Sequence, residues 1–137
     1  AFLNGEPITG GMEDTLSEAV IAAGSPPSSQ NIGPSLRGVC ALMPVCRSVR
    51  MFGSAALHFA WIACGRITAY FEPDLNSWDV CAGAVLVGEV GGELSGLDGS
   101  AYTLATRAIL ASNGKTHKSI LEVLQGADCL GPDEEDA

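Results

Sequence analysis

The sequence has few basic residues, and this scarcity argues against binding to nucleic acid. Lysine and arginine together number 7 against 16 acidic residues, which gives a formal net charge of −9. Basic side chains nowhere form the positive stripe that a nucleic-acid backbone requires. Five of the acids lie in residues 128–137, and we predict that this segment is a solvated, disordered acidic tail.

Paired cysteines are also lacking. The five cysteines are odd in number and include no Cys-x-x-Cys pair, which argues against a zinc centre or a disulfide framework. Three of them have apolar neighbours in the sequence, so we predict buried, reduced thiols. A reducing compartment follows, the cytoplasm in the first place, with a plastid as the alternative.

No apolar run approaches the length of about 18 residues that a membrane helix needs, so we expect no membrane partner. Nevertheless 47% of the 137 residues are hydrophobic and the mean hydropathy is +0.25. This excess predicts either a large buried core in one domain or apolar surface that contacts a partner.

The hydrophobic pattern alternates between strands and helices, which predicts an α/β fold. The Asn4-Gly5 pair between apolar residues predicts a hairpin. Residues 24–38 are rich in Ser, Pro, Gly and Asn and predict a loop. Strands are predicted at 19–23, 46–51, 66–72, 93–95 and 108–112, and helices at 54–64, 80–90 and 117–125. The strand at 66–72 alternates in polarity and is predicted to be half-buried.

The stretch 72–92 carries the most chemical information. Ser77 is a predicted N-cap, and Asp79 falls in the first helical turn, where the helix dipole favours a carboxylate. Residues 80–90 are small or apolar, so we expect this helix to be buried on nearly every face. Glu72 and Asp79 therefore adjoin an apolar core, where an unpaired carboxylate is costly. A cation is one candidate for compensating them.

Gly53 and Ser54 begin the preceding helix, with Gly53 in a tight turn and Ser54 as its cap. In α/β sheets, ligands collect where strands end and helices begin. Free N–H groups at a helix start bind phosphate, and a neighbouring carboxylate suggests Mg²⁺ held together with phosphate oxygens. The alternative is that Asp79 merely complements its helix dipole and that Glu72 is solvated.

Other side chains offer weaker alternatives. Ser54 and His58 lie one helical turn apart, so a Ser-His pair with Asp79 is conceivable, but the apolar neighbours of His58 favour a core residue. His117 is predicted to face solvent. The aromatic residues Tyr70, Phe71 and Trp78 are predicted to belong to the core.

Several motifs follow one another in a characteristic order. They are Arg50-x-x-Gly53-Ser54-Ala55-Ala56, Ala63-x-Gly65-Arg66, Ala69-Tyr70-x-Glu72, Trp78-Asp79-x-x-Ala82-Gly83 and Glu89-x-Gly91-Gly92. In this order they resemble the C-terminal half of the inositol monophosphatase family. The opening Ala1-Phe2-Leu3-Asn4-Gly5 also resembles a hairpin of that family, so the resemblance covers essentially the whole chain.

The resemblance implies a fold and a reaction. Residues 1–127 would form the C-terminal part of a layered αβαβα sugar-phosphatase fold, with a mixed sheet flanked by helices. The whole protein would be a homodimeric, lithium-sensitive enzyme of phosphatidylinositol signalling that hydrolyses an inositol phosphate monoester with an Mg²⁺-activated water. Asp79 would bind the second Mg²⁺ and Glu72 a hydroxyl of the inositol ring. Gly53, Ser54 and Ala55 would line the substrate and phosphate pocket.

One departure from the family limits this expectation. Family members carry a Glu-Glu segment and an Asp-Pro-x-Asp-Gly-Thr motif that supply the other metal ligands, and this sequence lacks the latter motif. We therefore predict that the chain is a fragment and is inactive alone. The alternatives are a non-catalytic truncated homologue that binds a partner, or a phosphatase of related sugar, nucleotide or histidinol phosphates. An upstream Asp-Pro-x-Asp-Gly-Thr motif would support a fragment, whereas an initiator methionine immediately before Ala1 would support the truncated homologue.

Overall fold

The chain begins with a small hairpin. The structure, a computed structural model, describes residues 1–26 and 29–130. Strands β1 (Phe2–Leu3) and β2 (Glu6–Pro7) pair in antiparallel fashion. Asn4 and Gly5 between them have φ angles of 53° and 85°, the left-handed geometry that a two-residue Asn-Gly turn adopts. The predicted hairpin is confirmed.

The remaining strands form one mixed sheet. A 3-10 helix (Leu16–Glu18) is followed by β3 (Val20–Ala23), α1 (Ser29–Leu42), β4 (Ser48–Arg50), α2 (Ala55–Ala63), β5 (Ala69–Glu72), α3 (Ser77–Glu89), β6 (Glu93–Gly96), β7 (Ile109–Ser112) and α4 (His117–Gly126). The sheet order is β4-β3-β5-β7-β6. Strands β4, β3 and β5 are parallel, and β7 is antiparallel to both of its neighbours. The predicted α/β class and mixed sheet are confirmed.

Helices cover both faces of the sheet. On one face, Leu42 of α1 and Leu124 of α4 pack in the same core cluster as Phe71. On the other face, Phe59 of α2 packs with Tyr70, because successive side chains of β5 point to opposite sides. All four residues of β5 are consequently buried. The prediction of a half-buried strand is wrong because β5 is central and covered twice.

Helix α1 occupies much of the segment that composition predicts to be a loop, so that prediction is wrong. The helix even contains Pro34. It packs tightly on the sheet, since a Cβ added to Gly38 would lie 2.7 Å from the ring of Phe71, and Leu42 is fully buried. Tertiary packing here outweighs the unfavourable helix propensity of glycine and proline.

Helix α3 is buried on one face rather than on nearly every face. Its buried residues Val80, Gly83 and Val87 follow the spacing of a single helical stripe. Trp78 and Val85 are 76% and 65% exposed, so the prediction that Trp78 belongs to the core is wrong, whereas Tyr70 and Phe71 are buried as predicted. No helix within the described ranges combines the length and the apolar character that a membrane crossing needs.

The five cysteines, all within the described ranges, carry free thiols. Cys129 is buried, whereas Cys40 and Cys81 are exposed, so the prediction of three buried thiols is wrong. Cys129 packs in the core although it belongs to the predicted tail, and the carbonyl oxygen of Asp128 accepts hydrogen bonds from Arg37. Residues 131–137 lie outside the described residues, and the prediction of a disordered tail there stays a prediction.

His117 is buried at the start of α4, so the prediction that it faces solvent is wrong. Its Nδ1 lies 2.8 Å from the hydroxyl of Ser112, and its Nε2 lies 2.8 Å from that of Ser95. These two bonds tie α4 to β7 and β6. Burial lowers the pKa of His117, while the nearby carboxylate of Glu93 opposes the shift.

We expect the buried His117 to make the protein less stable as the pH falls below about 6.5, the pKa of an unfolded histidine. The folded state keeps the ring neutral, so the unfolded chain binds more protons as the pH falls. This proton binding lowers the free energy of the unfolded state relative to the folded state. Urea unfolding at about pH 7.5 and about pH 5.5 measures the difference. The difference should shrink in His117→Gln, and an equal pH dependence in both proteins would refute this explanation.

Candidate functional site

The carboxyl end of β5 and the starts of α2 and α3 meet in one cleft of about 140 Å³. All five site residues predicted from the sequence line it, namely Gly53, Ser54, Ala55, Glu72 and Asp79. The location agrees with the rule that α/β sheets bind ligands where their strands end. The structure therefore brings the predicted residues together.

The start of α2 offers unbonded backbone donors to this cleft. Gly53 has a φ of 80° and turns the chain into the helix, as predicted. Ser54 occupies the N-cap position, but its side chain makes no capping hydrogen bond, contrary to the prediction. The first intrahelical bond runs over 3.1 Å from the N–H of His58 to the carbonyl of Ser54. The three preceding N–H groups have no partner within the helix, which is an arrangement that binds anions.

Asp79 lies in the first turn of α3, as predicted, although Asn76 rather than Ser77 is the N-cap. Its Oδ2 accepts a hydrogen bond of 3.2 Å from the backbone N–H of Asn76. This bond holds the carboxylate at the positive end of the helix dipole. The bond occupies Oδ2, so Oδ1 is the oxygen that a cation would use.

Arg107 holds the loop between β5 and α3. Its Nε donates to Asp74 over 2.7 Å, and its Nη1 donates to the side-chain oxygen of Asn76 over 2.7 Å. Its carbonyl accepts a bond of 2.8 Å from the N–H of Leu75. These bonds fix the loop that joins Glu72 to Asp79.

Glu72 is a buried carboxylate, only 7% exposed, so the alternative that it is solvated is wrong. Tyr70 donates a hydrogen bond to its Oε2. Burial raises the pKa of Glu72, the bond from Tyr70 opposes the shift, and the carboxylates of Asp79 and Asp74 raise it further. Burial and the neighbouring Glu72 also raise the pKa of Tyr70. A cation or a donated hydrogen bond would relieve this concentration of negative charge.

The cleft also contains residues that sequence reasoning did not assign to it: Gly24, Ser25, His58, Tyr70 and Leu75. Gly24 follows β3 directly, and a Cβ at this position would lie 2.2 Å from Cδ of Glu72. The absence of a side chain therefore makes room for the Glu72 carboxylate. The sequence signal is a glycine at the end of a buried strand, which is hard to recognise beside a segment that reads as a loop.

We expect Gly24→Ala to push the Glu72 carboxylate towards solvent and so to lower its pKa towards the usual range of glutamate, because burial is the main cause of the raised pKa. A ¹³C NMR titration of the side-chain carboxyl measures this change. Gly88→Ala is the matched control, since a Cβ there meets nothing within 4 Å. An unaltered Glu72 titration in Gly24→Ala would show that the carboxylate does not depend on this space.

The donor chemistry of the cleft suits a hard divalent cation but offers few ligands. Carboxylate oxygens such as those of Asp79 are the groups that bind Mg²⁺, usually together with waters and substrate phosphate oxygens. Across residues 1–26 and 29–130, no three His, Cys, Asp or Glu residues form a group that could hold a metal ion. Asp79 alone would therefore supply one protein ligand to a cation, and a complete site would need others.

Comparisons with known proteins agree on one family. The sequence model of the inositol monophosphatase family matches residues 1–128. An inositol-1-monophosphatase of Caulobacter vibrioides is 40% identical over 114 residues, which make up 82% of this chain and 44% of that protein.

Solved structures show the same likeness. The inositol monophosphatase of Anabaena matches with a TM-score of 0.84 at 31% identity, over 98% of this chain and 52% of that one. SaIMPase-II with bound inositol monophosphate matches with a TM-score of 0.76 at 29% identity, over 92% and 51%. The chain spans about half the length of the relatives that it matches.

Proposed function

Since this chain belongs to the inositol monophosphatase family, we propose that its cleft is one part of the active site of an Mg²⁺-dependent inositol-phosphate phosphatase. The family match confirms the resemblance predicted from the motifs, and the matched share of each relative agrees with a resemblance to half of the family's length. The observation that carries the proposal is the single cleft that joins a helix start rich in free N–H groups to the carboxylates of Glu72 and Asp79.

Each wall of the cleft has a role in this proposal. The backbone at Gly53, Ser54 and Ala55 binds the phosphate group through N–H groups that have no helical partner. Asp79 binds Mg²⁺ through a carboxylate oxygen. Glu72 keeps one oxygen bonded to Tyr70 and accepts a hydrogen bond from a substrate hydroxyl with the other. When bound, Mg²⁺ would activate a water and stabilise the attacking and leaving oxygens.

This combination of charges supports a phosphate monoester with free hydroxyl groups as the substrate. A phosphate monoester brings an anion to the start of α2, while hydroxyl groups on its organic part satisfy the buried Glu72. The bound inositol monophosphate in the related SaIMPase-II supports an inositol phosphate as substrate. Sugar, nucleotide and histidinol phosphates share the same phosphate chemistry and are the alternative substrates.

We expect the chain alone to release no phosphate from inositol 1-phosphate in the presence of Mg²⁺, because Asp79 and a substrate phosphate can hold the ion only weakly and no second protein carboxylate among the described residues is there to fix it for catalysis. A colorimetric assay of released phosphate, run beside the Caulobacter vibrioides relative as positive control, measures this. Turnover by the purified chain at a rate comparable to the control would refute the proposal that the reaction needs metal ligands beyond those in this chain.

The family membership supports further proposals for the whole protein. It would act as a cytoplasmic or plastid homodimer and would be inhibited by lithium, which requires the complete metal site. Analytical ultracentrifugation and activity measured against LiCl concentration test these two properties separately.

A non-catalytic interaction role is the second candidate. The exposed apolar side chains of Phe2, Trp78 and Val85 favour it, since they are 71%, 76% and 65% exposed and suit contact with another protein surface. Hydrolysis by a longer product of the same reading frame would decide for the enzyme, whereas a frame that begins with methionine immediately before Ala1 would decide for the partner role.

A further inference from the structure

The buried imidazole of His58 makes no hydrogen bond to any residue that the structure describes. The residue is 1% exposed, and neither Nδ1 nor Nε2 has a partner among those residues. Buried polar atoms in folded proteins are nearly always hydrogen-bonded, because an unmet donor or acceptor costs free energy. A ring that is unpartnered on both nitrogens therefore calls for a ligand that would satisfy it.

The position of His58 in α2 places its ring beside the proposed phosphate site. The residue lies in the second turn of the helix and lines the same cleft as Gly53 and Glu72. Helical side chains lean towards the N-terminus of their helix. His58 thus shares the cleft with the first turn, whose N–H groups have no partner within the helix. The free ring and the free helix start are independent observations that point to one ligand.

Aromatic rings pack around the imidazole but do not hydrogen-bond its nitrogens. The ring centres of Tyr70, Phe52 and Trp61 lie 4.4, 5.7 and 6.3 Å from that of His58. The Tyr70 hydroxyl already donates to Glu72, and the other two rings offer no strong acceptor. Burial lowers the pKa of His58, so at neutral pH the ring is neutral and carries one N–H donor.

We propose that His58 is a further substrate-contacting residue whose imidazole N–H donates a hydrogen bond to a phosphate oxygen of the monoester bound at the start of α2. The inference rests on the proposed function of the same cleft and adds a side-chain donor to its backbone donors. A bond from a neutral donor to a charged phosphate oxygen belongs to the strong class of hydrogen bonds.

Titration of the ¹⁵N-labelled chain with inorganic phosphate tests the contact by NMR. We expect the ring nitrogens of His58 to shift saturably, together with the backbone amides of Ala55 and Ala56. The ring nitrogens of His117 are the internal control, since Ser95 and Ser112 already bond them, and they should stay unchanged.

The possible failures are distinguishable. If the amides of Ala55 and Ala56 shift while the His58 ring does not, the contact is refuted and the phosphate site stands. If neither the amides nor the ring shifts, the phosphate site itself is refuted, and the inference falls with it.

Two variants separate binding from structure. His58→Leu should weaken phosphate binding roughly tenfold, the loss expected for one hydrogen bond to a charged group, while His58→Gln, which keeps an N–H donor, should recover most of the affinity. His58→Leu should unfold at the same or a higher temperature, because it removes an unpartnered buried polar group. Unaltered phosphate affinity in His58→Leu would overturn the proposal.

Discussion

The Gly83→Ala variant is expected to be less stable than the parent chain by about 3 kcal/mol, the upper part of the usual range for overpacking. The added Cβ would lie 2.3 Å from Cγ and 2.4 Å from Cβ of Phe59. Those atoms belong to a fully buried ring close to the α2 backbone, so the ring cannot simply swing away. The two helices would have to move apart, which outweighs the gain of up to about 1 kcal/mol from replacing a helical glycine.

Gly88→Ala on the same helix provides the matched control for Gly83. A Cβ there meets nothing within 4 Å, so this variant should be more stable by roughly 0.5–1 kcal/mol. Urea denaturation of both variants measures the two effects. If Gly83→Ala were as stable as the control, the close approach of α2 and α3 would not hold.

The close packing at Gly83 also explains the spacing of the Trp78-Asp79-x-x-Ala82-Gly83 motif. Asp79 and Gly83 lie four positions apart and therefore share one face of α3. The glycine lets this face approach α2, and the acid on the same face then lies in the cleft that α2 begins. The helix contact and the proposed metal ligand are two parts of one arrangement.

The Asp79→Asn variant is expected to bind Mn²⁺, a spectroscopic substitute for Mg²⁺, on the order of tenfold more weakly than the parent chain, because the hard cation loses its charged oxygen ligand. Asparagine keeps a side-chain oxygen that can accept the bond from the Asn76 N–H, so the start of α3 should persist. Electron paramagnetic resonance of free Mn²⁺ measures the affinity.

Asp98→Asn is the control for Asp79, since this acid is exposed in the turn after β6 and lies outside the cleft. The Asp98→Asn substitution removes one negative charge, as Asp79→Asn does, but leaves the proposed metal ligand in place. Equal Mn²⁺ affinity in the two variants would mean that the ion responds to net charge and not to the cleft.

The cleft was predictable from the sequence because its signals are local. A strand that ends at Glu72, a glycine before Ser54 and an acid in the first helical turn after Ser77 are each signals within a few residues. The rule that strand ends and helix starts adjoin in α/β sheets then brings these segments together. The positions of Gly53, Glu72 and Asp79 in the cleft followed without any knowledge of distant contacts.

The features that the sequence did not predict depend on distant contacts. Helix α1 forms in spite of Pro34 because it packs on the sheet, and the hydroxyls that bond His117 come from positions 5 and 22 residues away. Gly24 follows β3 and makes room for the carboxylate of Glu72, which belongs to β5. The exposure of Trp78 depends on what covers α3, which the residues of the helix do not reveal.

Paramagnetic NMR with Mn²⁺ tests the central claim, that one cleft holds both the cation and the phosphate, most directly. In the presence of inorganic phosphate, the first additions of Mn²⁺ should broaden the amides of Gly53, Ser54, Ala55, Glu72 and Asp79 more than that of the exposed Asp98. Broadening of the cleft amides that is no stronger than at Asp98 would contradict the account.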